Sequence, residues 1–274
     1  MTSVTNNIVT NESLCRGTEM LPKKKQMTRQ QATYTGKMGR ADLHMHSTFS
    51  DGLYTPAQIL SHVEKNTDLD VIALTDHDEI EGSLRLRDLW QQGNYRFDIV
   101  VGEEISTKEG HLLALYIERL IPQGLSIERS IDMIHEQGGL AVIAHPLHRL
   151  FRHSCQREVM DRIHASEDVW LDGIETWNAS FCGIYANGVA MKANREVYGL
   201  PELGNSDAHT LKSIGSGCTW FEGKSASDVR ATIEAGLSAP GGKLWGMNDY
   251  IRIASHLVSH KAQKRLRNRE QKVA

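Results

Sequence analysis

The sequence predicts an α/β fold built on a mainly parallel sheet, closed or open, and three observations carry that reading. Short apolar runs recur at 41–46, 71–75, 99–101, 111–117, 140–144, 170–175 and 218–221. Helix signals fall between several of them, the pattern of strands spaced by helices. The span that holds them, about 200 residues, suits one α/β domain.

The elements follow in chain order. Ala41–His46 is the first strand, and Thr55 followed by Pro56 reads as an N-cap and first-turn proline, opening a helix through His62 and Val63. Val71–Thr75, Ile99–Val101 and His111–Ile117 are the next three strands. Ser126 caps a helix with Ile127, Ile131 and Ile134 on one face, and Gly138-Gly139 ends it. Leu140–Ala144 and Trp170–Glu175 follow as strands, then Cys218–Phe221. Ser225 with Asp228 resembles a capping box ahead of Val229 and Ile233, with a stop at Gly236. In an open or a closed sheet of this kind, chemistry belongs at the carboxyl ends of the strands.

Residues 1–38 are rich in Thr, Asn, Gln and Lys without a sustained period and read as a disordered tail. The central domain is expected over 39–240. The remainder, 241–274, reads as a helix and a basic tail carrying Lys261, Lys264, Arg265, Arg267, Arg269 and Lys272, either a frayed helical end or an arm for RNA or DNA. The formal charge of −3 gives no overall argument for a nucleic-acid partner. No run reaches the roughly 18 apolar residues of a membrane span, and the first 40 residues contain no secretory core. Cys15, Cys155, Cys182 and Cys218 are widely spaced, without a CxxC pair, and are expected to be reduced thiols of a cytoplasmic protein.

The polar residues gather where the strands end. His44 and His46 close the first run as an i, i+2 pair, which an extended chain projects to one face. Asp51 follows in the loop. Asp76, His77 and Asp78 end the second run, Glu103 follows the third, and His111 opens the fourth. His145 ends the fifth, before Pro146, and Asp207 and His209 form another i, i+2 pair. Each residue alone has a plain explanation as a satisfied polar group, but nine at one rim point to a metal centre. Mixed imidazole and carboxylate donors suit Zn, Mn or Fe and not Ca, which prefers oxygens.

The segments DLHMHSTFSDG (42–52), TDHD (75–78), GEEIS (102–106), AHP (144–146) and NSDAH (205–209), in this order, resemble the motifs of the polymerase and histidinol phosphatase (PHP) superfamily. The resemblance implies a distorted (β/α)7 barrel holding two or three divalent cations. Carried over by motif, His44, His46, Glu103 and Asp207 bind one cation, and Asp51, His77 and His209 a second. Glu103, His111 and His145 bind a third, with Glu103 bridging. It further implies a phosphoric ester hydrolase in which a metal-bridging hydroxide attacks phosphorus in line, with His44, His46, Asp51, Glu103, His145, Asp207 and His209 carrying catalysis. Asp42, Asp76 and Asp78 are expected to orient imidazoles. Arg149, four residues beyond His145, is the candidate phosphate grip, and Asn178 is expected to face the cleft.

The expected substrate is a phosphomonoester, either a small phosphate ester or a nucleotide such as a nucleoside 3′,5′-bisphosphate. A nuclease acting on RNA or DNA ends and a non-catalytic metal-binding barrel are the alternatives.

Overall fold

A computed structural model describes residues 36–252 and 255. The basic run 261–272 and nearly all of the tail expected at 1–38 lie outside the described residues.

Among the described residues the elements run β1 (Met38–Asp42), α1 (Pro56–Asn66), β2 (Val71–Leu74), α2 (Glu81–Gln91), β3 (Asp98–Thr107), β4 (Gly110–Leu115), α3 (Ile127–His135), β5 (Leu140–Ile143), α4 (Arg157–Ala165), β6 (Gly173–Asn178), α5 (Phe181–Ala193), β7 (Glu202–Asn205), β8 (Gly217–Glu222), α6 (Ala226–Glu234) and β9 (Ala239–Gly242), with residues 247–252 helical beyond it. The helix ends obey local chemistry. Thr55 and Ser225 form capping boxes with Gln58 and Asp228, and Ser126 caps α3 through the Arg129 N–H. Gly138 and Gly236, both at positive φ, follow α3 and α6.

The sheet runs β7-β6-β5-β4-β3-β2-β1-β8-β9 and curls into a nearly closed barrel. It is not mainly parallel. β1-β2-β3 and β5-β6-β7 pair in parallel, but β4 is antiparallel to both β3 and β5, and β8 is antiparallel to β1 and β9. The reason lies in the link: only Lys108 and Glu109 separate β3 from β4, enough for a hairpin and far too few for a parallel crossover.

Closure depends on glycine. A Cβ on Gly204 of β7 would stand 2.6 Å from the Cys218 carbonyl oxygen and 2.8 Å from the Gly241 nitrogen, so only a bare Cα lets β7 meet β8 and β9. Beyond the strand ends the seam is held by the Leu43 N–H donating to Asn205 Oδ1 (2.9 Å) and the His46 N–H to the Ala208 carbonyl (2.9 Å).

Inside the barrel, Ala41, Leu43, Ala73, Val100, Leu113, Val142 and Leu203 form one buried layer, with Val229 and Ile233 of α6 packed into it. α6 is tied on by the Tyr116 hydroxyl donating to the Ala226 carbonyl (2.7 Å) and the Ala226 N–H donating to Asp98 (2.9 Å), at the end of β3 away from its carboxyl terminus. Outside the barrel, α3 buries Ile127, Ile131 and Ile134 completely, each contributing up to about 1.5–3 kcal/mol. Among the described residues no helix is long and apolar enough to cross a membrane, and Cys155, Cys182 and Cys218 are free thiols.

Candidate metal centre

Every parallel strand sends its chain into the same end of the barrel, and the antiparallel β4 starts there. His44 and His46 follow β1, Asp76 and His77 follow β2, His145 follows β5, and Asp207 and His209 follow β7. His111 is the second residue of β4, which explains why it opens its apolar run while the others close theirs.

At the centre stands Glu104, fully buried. Its two carboxylate oxygens lie 2.8–3.3 Å from ring nitrogens of five histidines: His111 (2.8 Å), His44 and His145 (3.0 Å), His77 (3.1 Å) and His46 (3.3 Å). Asp207 faces His46 Nε2 at 3.2 Å and His44 Nε2 at 3.5 Å. Asp51 completes an outer corner, 3.1 Å from His209 Nε2 and 3.8–3.9 Å from His46 and His77. Donor atoms converge within 4.8 Å of one another in four sets: His46, Asp51, His77 and His209; His44, His145 and Asp207; His44, His46 and Glu104; and His77, Glu104 and His111.

The expected bridging residue is corrected by this geometry: Glu103 does not reach the cluster. It lies in β3, not after it, and successive residues of a strand face opposite ways. Glu103 shares its side with Val101 and Ile105, both in the hydrophobic layer beneath the helices, and accepts the Ile121 N–H (3.0 Å). Burial, with the Asp78 and Glu79 charges added, pushes its carboxyl up to about 8. Glu104, one residue on, takes the place expected of it. Asn178 is also corrected: it is fully buried, not open to a substrate, and its amide donates to Glu175 (2.9 Å) and Asp207 (3.2 Å). Arg149 stands exposed on the loop after β5, with Arg152 beside it.

Glu175 of β6 is the residue that motif reading passed over. It accepts four hydrogen bonds, from His44 Nδ1 (3.0 Å), the His145 N–H (2.8 Å) and the amides of Asn178 and Asn205 (2.9 Å each). The first of these fixes the His44 tautomer and aims Nε2 inward. Its signal in the sequence is a glutamate three residues before Asn178, at the end of the run 170–175. The three aspartates expected to orient imidazoles instead hold backbone N–H groups and, for Asp76, serine hydroxyls. Asp76 accepts from Ser47 and Ser50, Asp78 from the Ser106 N–H, and Asp42 from the Ser206 and Gly215 N–H groups.

Electrostatics match a cation site. Burial raises the cost of charge on Glu104 and Asp207, yet the surrounding imidazoles hold both well below the usual carboxylate range. Burial depresses His44 and His46, but Glu104 and Asp207 outweigh it, raising His44 well above its ordinary value and His46 to about 10. His77, more desolvated than compensated, falls to about 4. Buried carboxylates this close cost several kcal/mol each unless positive charge offsets them. The ring nitrogens are placed for a cation to add to what the imidazoles supply. Nδ1 of His77 and Nδ1 of His111 are buried and lie near Glu104 without hydrogen-bond alignment. Lone pairs converging on a common space rather than on a donor are what a divalent cation requires, so these residues fit one. Backbone strain sits in the same place, with Asp207 at φ 52 and His145 at φ 27, where non-glycine residues are uncommon.

Known proteins resemble the chain over this same region. An uncharacterized protein of Methanocaldococcus jannaschii, MJ1587, is 34% identical over 174 residues, covering 60% of this chain and 94% of its own. The PHP-associated family profile matches residues 185–237. A two-domain protein of Bacteroides vulgatus, containing a predicted PHP-like metal-dependent phosphoesterase, superposes with a TM-score of 0.63 over 84% of this chain and 73% of that one, at 19% identity. The chain has the PHP-type fold and carries a segment that matches the PHP-associated family. PsfC of Pseudomonas syringae shares the fold as well, with a TM-score of 0.58 at 17% identity, over 82% of this chain and 99% of that one. In this PHP-type barrel the histidines and carboxylates that could hold metal ions are gathered around Glu104.

Proposed function

We propose that this PHP-type barrel hydrolyses a phosphomonoester, either a small phosphate ester or a nucleotide such as a nucleoside 3′,5′-bisphosphate, with two or three Mn, Zn or Fe ions. The observation that carries this reading is the meeting of five imidazoles within 3.3 Å of the single carboxylate Glu104. When bound, such cations polarise a phosphoryl group, lower the pKa of water and offset charge on the leaving oxygen. His44, His46, Glu104 and Asp207 would hold one cation, Asp51, His77 and His209 another, and Glu104, His111 and His145 a third.

The chain's own residues then do three things. Glu175 and Asn178 hold His44, Asp207 and the His145 backbone in place from beneath. The buried inner donors exclude water, since the side chains of His44, His46 and Glu104 are inaccessible. Substrate phosphate meets the one accessible corner, where Asp51 is 51% exposed and His77 27%. Around that end of the barrel the exposed side chains include Phe49, Leu150, Phe181 and Tyr185, surroundings that suit a compact ester.

The test is phosphate release from p-nitrophenyl phosphate, its bis-ester, histidinol phosphate, adenosine 3′,5′-bisphosphate and a short 5′-phosphorylated RNA. Wild type and His44→Ala are compared after loading with Mn. Turnover of monoesters by wild type, lost in His44→Ala, is expected. Preference for the bis-ester or for internal RNA bonds would replace the monoester reading, and no turnover on any of them would overturn it.

A further inference from the structure

The chain leaving β9 does not depart from the barrel but turns back along the rim of the site beside β7. The Lys243 N–H donates to the Ser216 carbonyl (2.6 Å) and the Trp245 N–H to the Ala179 carbonyl (2.8 Å). The Trp245 indole N–H donates to the Ser206 carbonyl (2.8 Å), and its ring lies edge-on to His209 with centroids 5.9 Å apart. Behind it, the Tyr250 ring packs on Trp245 at 5.4 Å, and buried Asp249 accepts the Thr210 hydroxyl (2.8 Å). One short segment thus grips the loop after β6 at Ala179 and both flanks of Asp207-Ala208-His209.

That grip falls where the backbone needs it. Asp207 takes a left-handed conformation, which a residue with a Cβ adopts only when its neighbours are held. Ser206 is fixed on one side by its N–H to Asp42 (3.0 Å) and on the other by the indole on its carbonyl. His209 in turn lies against Asp207, its Nδ1 at 2.9 Å from the Asp207 carbonyl.

We infer that Trp245 is a positioning residue of the metal centre, and that the strap it belongs to, residues 243–250, fixes the turn that aims Asp207 and His209. Trp245 touches no reacting atom. It acts through the Ser206 carbonyl and the His209 ring. The inference rests on the reading of the cluster as a metal centre.

Its test is Mn titration of the metal-stripped full chain, followed by calorimetry, with Trp245→Phe, Trp245→Ala and Asp249→Asn beside wild type. Trp245→Phe keeps a ring and loses the N–H. Asp249→Asn replaces the charged acceptor of the Thr210 hydroxyl with a neutral amide oxygen, weakening that tie without touching the indole. Loss of an outer partner of a ligand weakens metal binding by about 10–100-fold, and a loss of that order is expected at the weakest site of Trp245→Ala. Trp245→Phe and Asp249→Asn should fall in between, and the melting of all metal-stripped variants should stay close to wild type. A Trp245 variant whose metal-stripped form melts far lower has a folding defect, and the affinity of Asp249→Asn then decides. Wild-type affinity at every site in all three variants would overturn the inference while leaving the metal centre intact. A wild type that binds no cation would overturn both.

Discussion

At residue 104 a single carboxylate faces five imidazoles, and at residue 103 an identical side chain faces Ile121. The two make a sharp pair of predictions. Glu104→Gln removes the one charge shared by two of the four converging donor sets. It should lower kcat/KM by more than about 100-fold, as expected for loss of a bridging metal ligand. Glu103→Gln should leave turnover within a few-fold of wild type. It should also change the pH dependence of stability. The Glu103 carboxyl is raised to about 8 by burial, so the folded chain keeps a proton there that the unfolded chain loses near its ordinary value. The stability this gives is full below the unfolded value and disappears as pH rises through about 8. Glutamine cannot ionise, so thermal melts between about pH 6 and 9 should fall less steeply for Glu103→Gln than for wild type. Eight of the nine ligand positions expected from sequence do converge: His44, His46, His77, His111 and His145 sit beside ends of legible apolar runs, whereas Asp51, Asp207 and His209 were marked by motif and spacing alone. Glu103 and Glu104 could not be told apart that way. Both faces of β3 are buried, so no alternation of polar and apolar residues reveals which side looks inward.

Among the elements, those with strong local signals were legible and those defined by closure were not. Capping chemistry marked α1, α3 and α6, and apolar runs marked seven strands. β7 (ELGN) and β9 (APGG) carry glycine and proline in place of β-branched residues and exist because the barrel closes over them. α5 was hidden differently, being apolar on exposed and buried sides alike, with Phe181, Ile184, Tyr185 and Val189 all exposed. Two predictions test this division. Ser225→Ala removes the cap that starts α6 and should cost about 1 kcal/mol of stability in denaturant unfolding, with little effect on turnover. Gly204→Ala forces a Cβ against the backbone of Cys218 and Gly241. That overpacking should cost about 1–3 kcal/mol, and because β7 leads directly into Asp207 it should lower metal affinity too. Equal metal binding in a destabilised Gly204→Ala would show that the seam and the site are independent.

For the whole molecule, the barrel supplies a closed apolar base under α6 and gathers its charge at the opposite end, so cations held there would join stability to the proposed function. A cation at about 100 times its Kd contributes about 2.7 kcal/mol, and in a domain of this size about 1 kcal/mol moves the melting temperature by roughly 2–4 °C. Stripping two or more ions with a chelator should therefore lower it by about 10 °C or more, reversibly on adding Mn. An unchanged melt would mean that protonated histidines alone balance Glu104 and Asp207. The measurement that bears most directly on the role of Glu104 is the metal content per chain, by elemental analysis, of wild type, Glu103→Gln and Glu104→Gln purified side by side. Two or three equivalents in wild type and Glu103→Gln, with no more than one in Glu104→Gln, is the predicted result. Loss of metal from Glu103→Gln with retention in Glu104→Gln, or a wild type without metal, would contradict it.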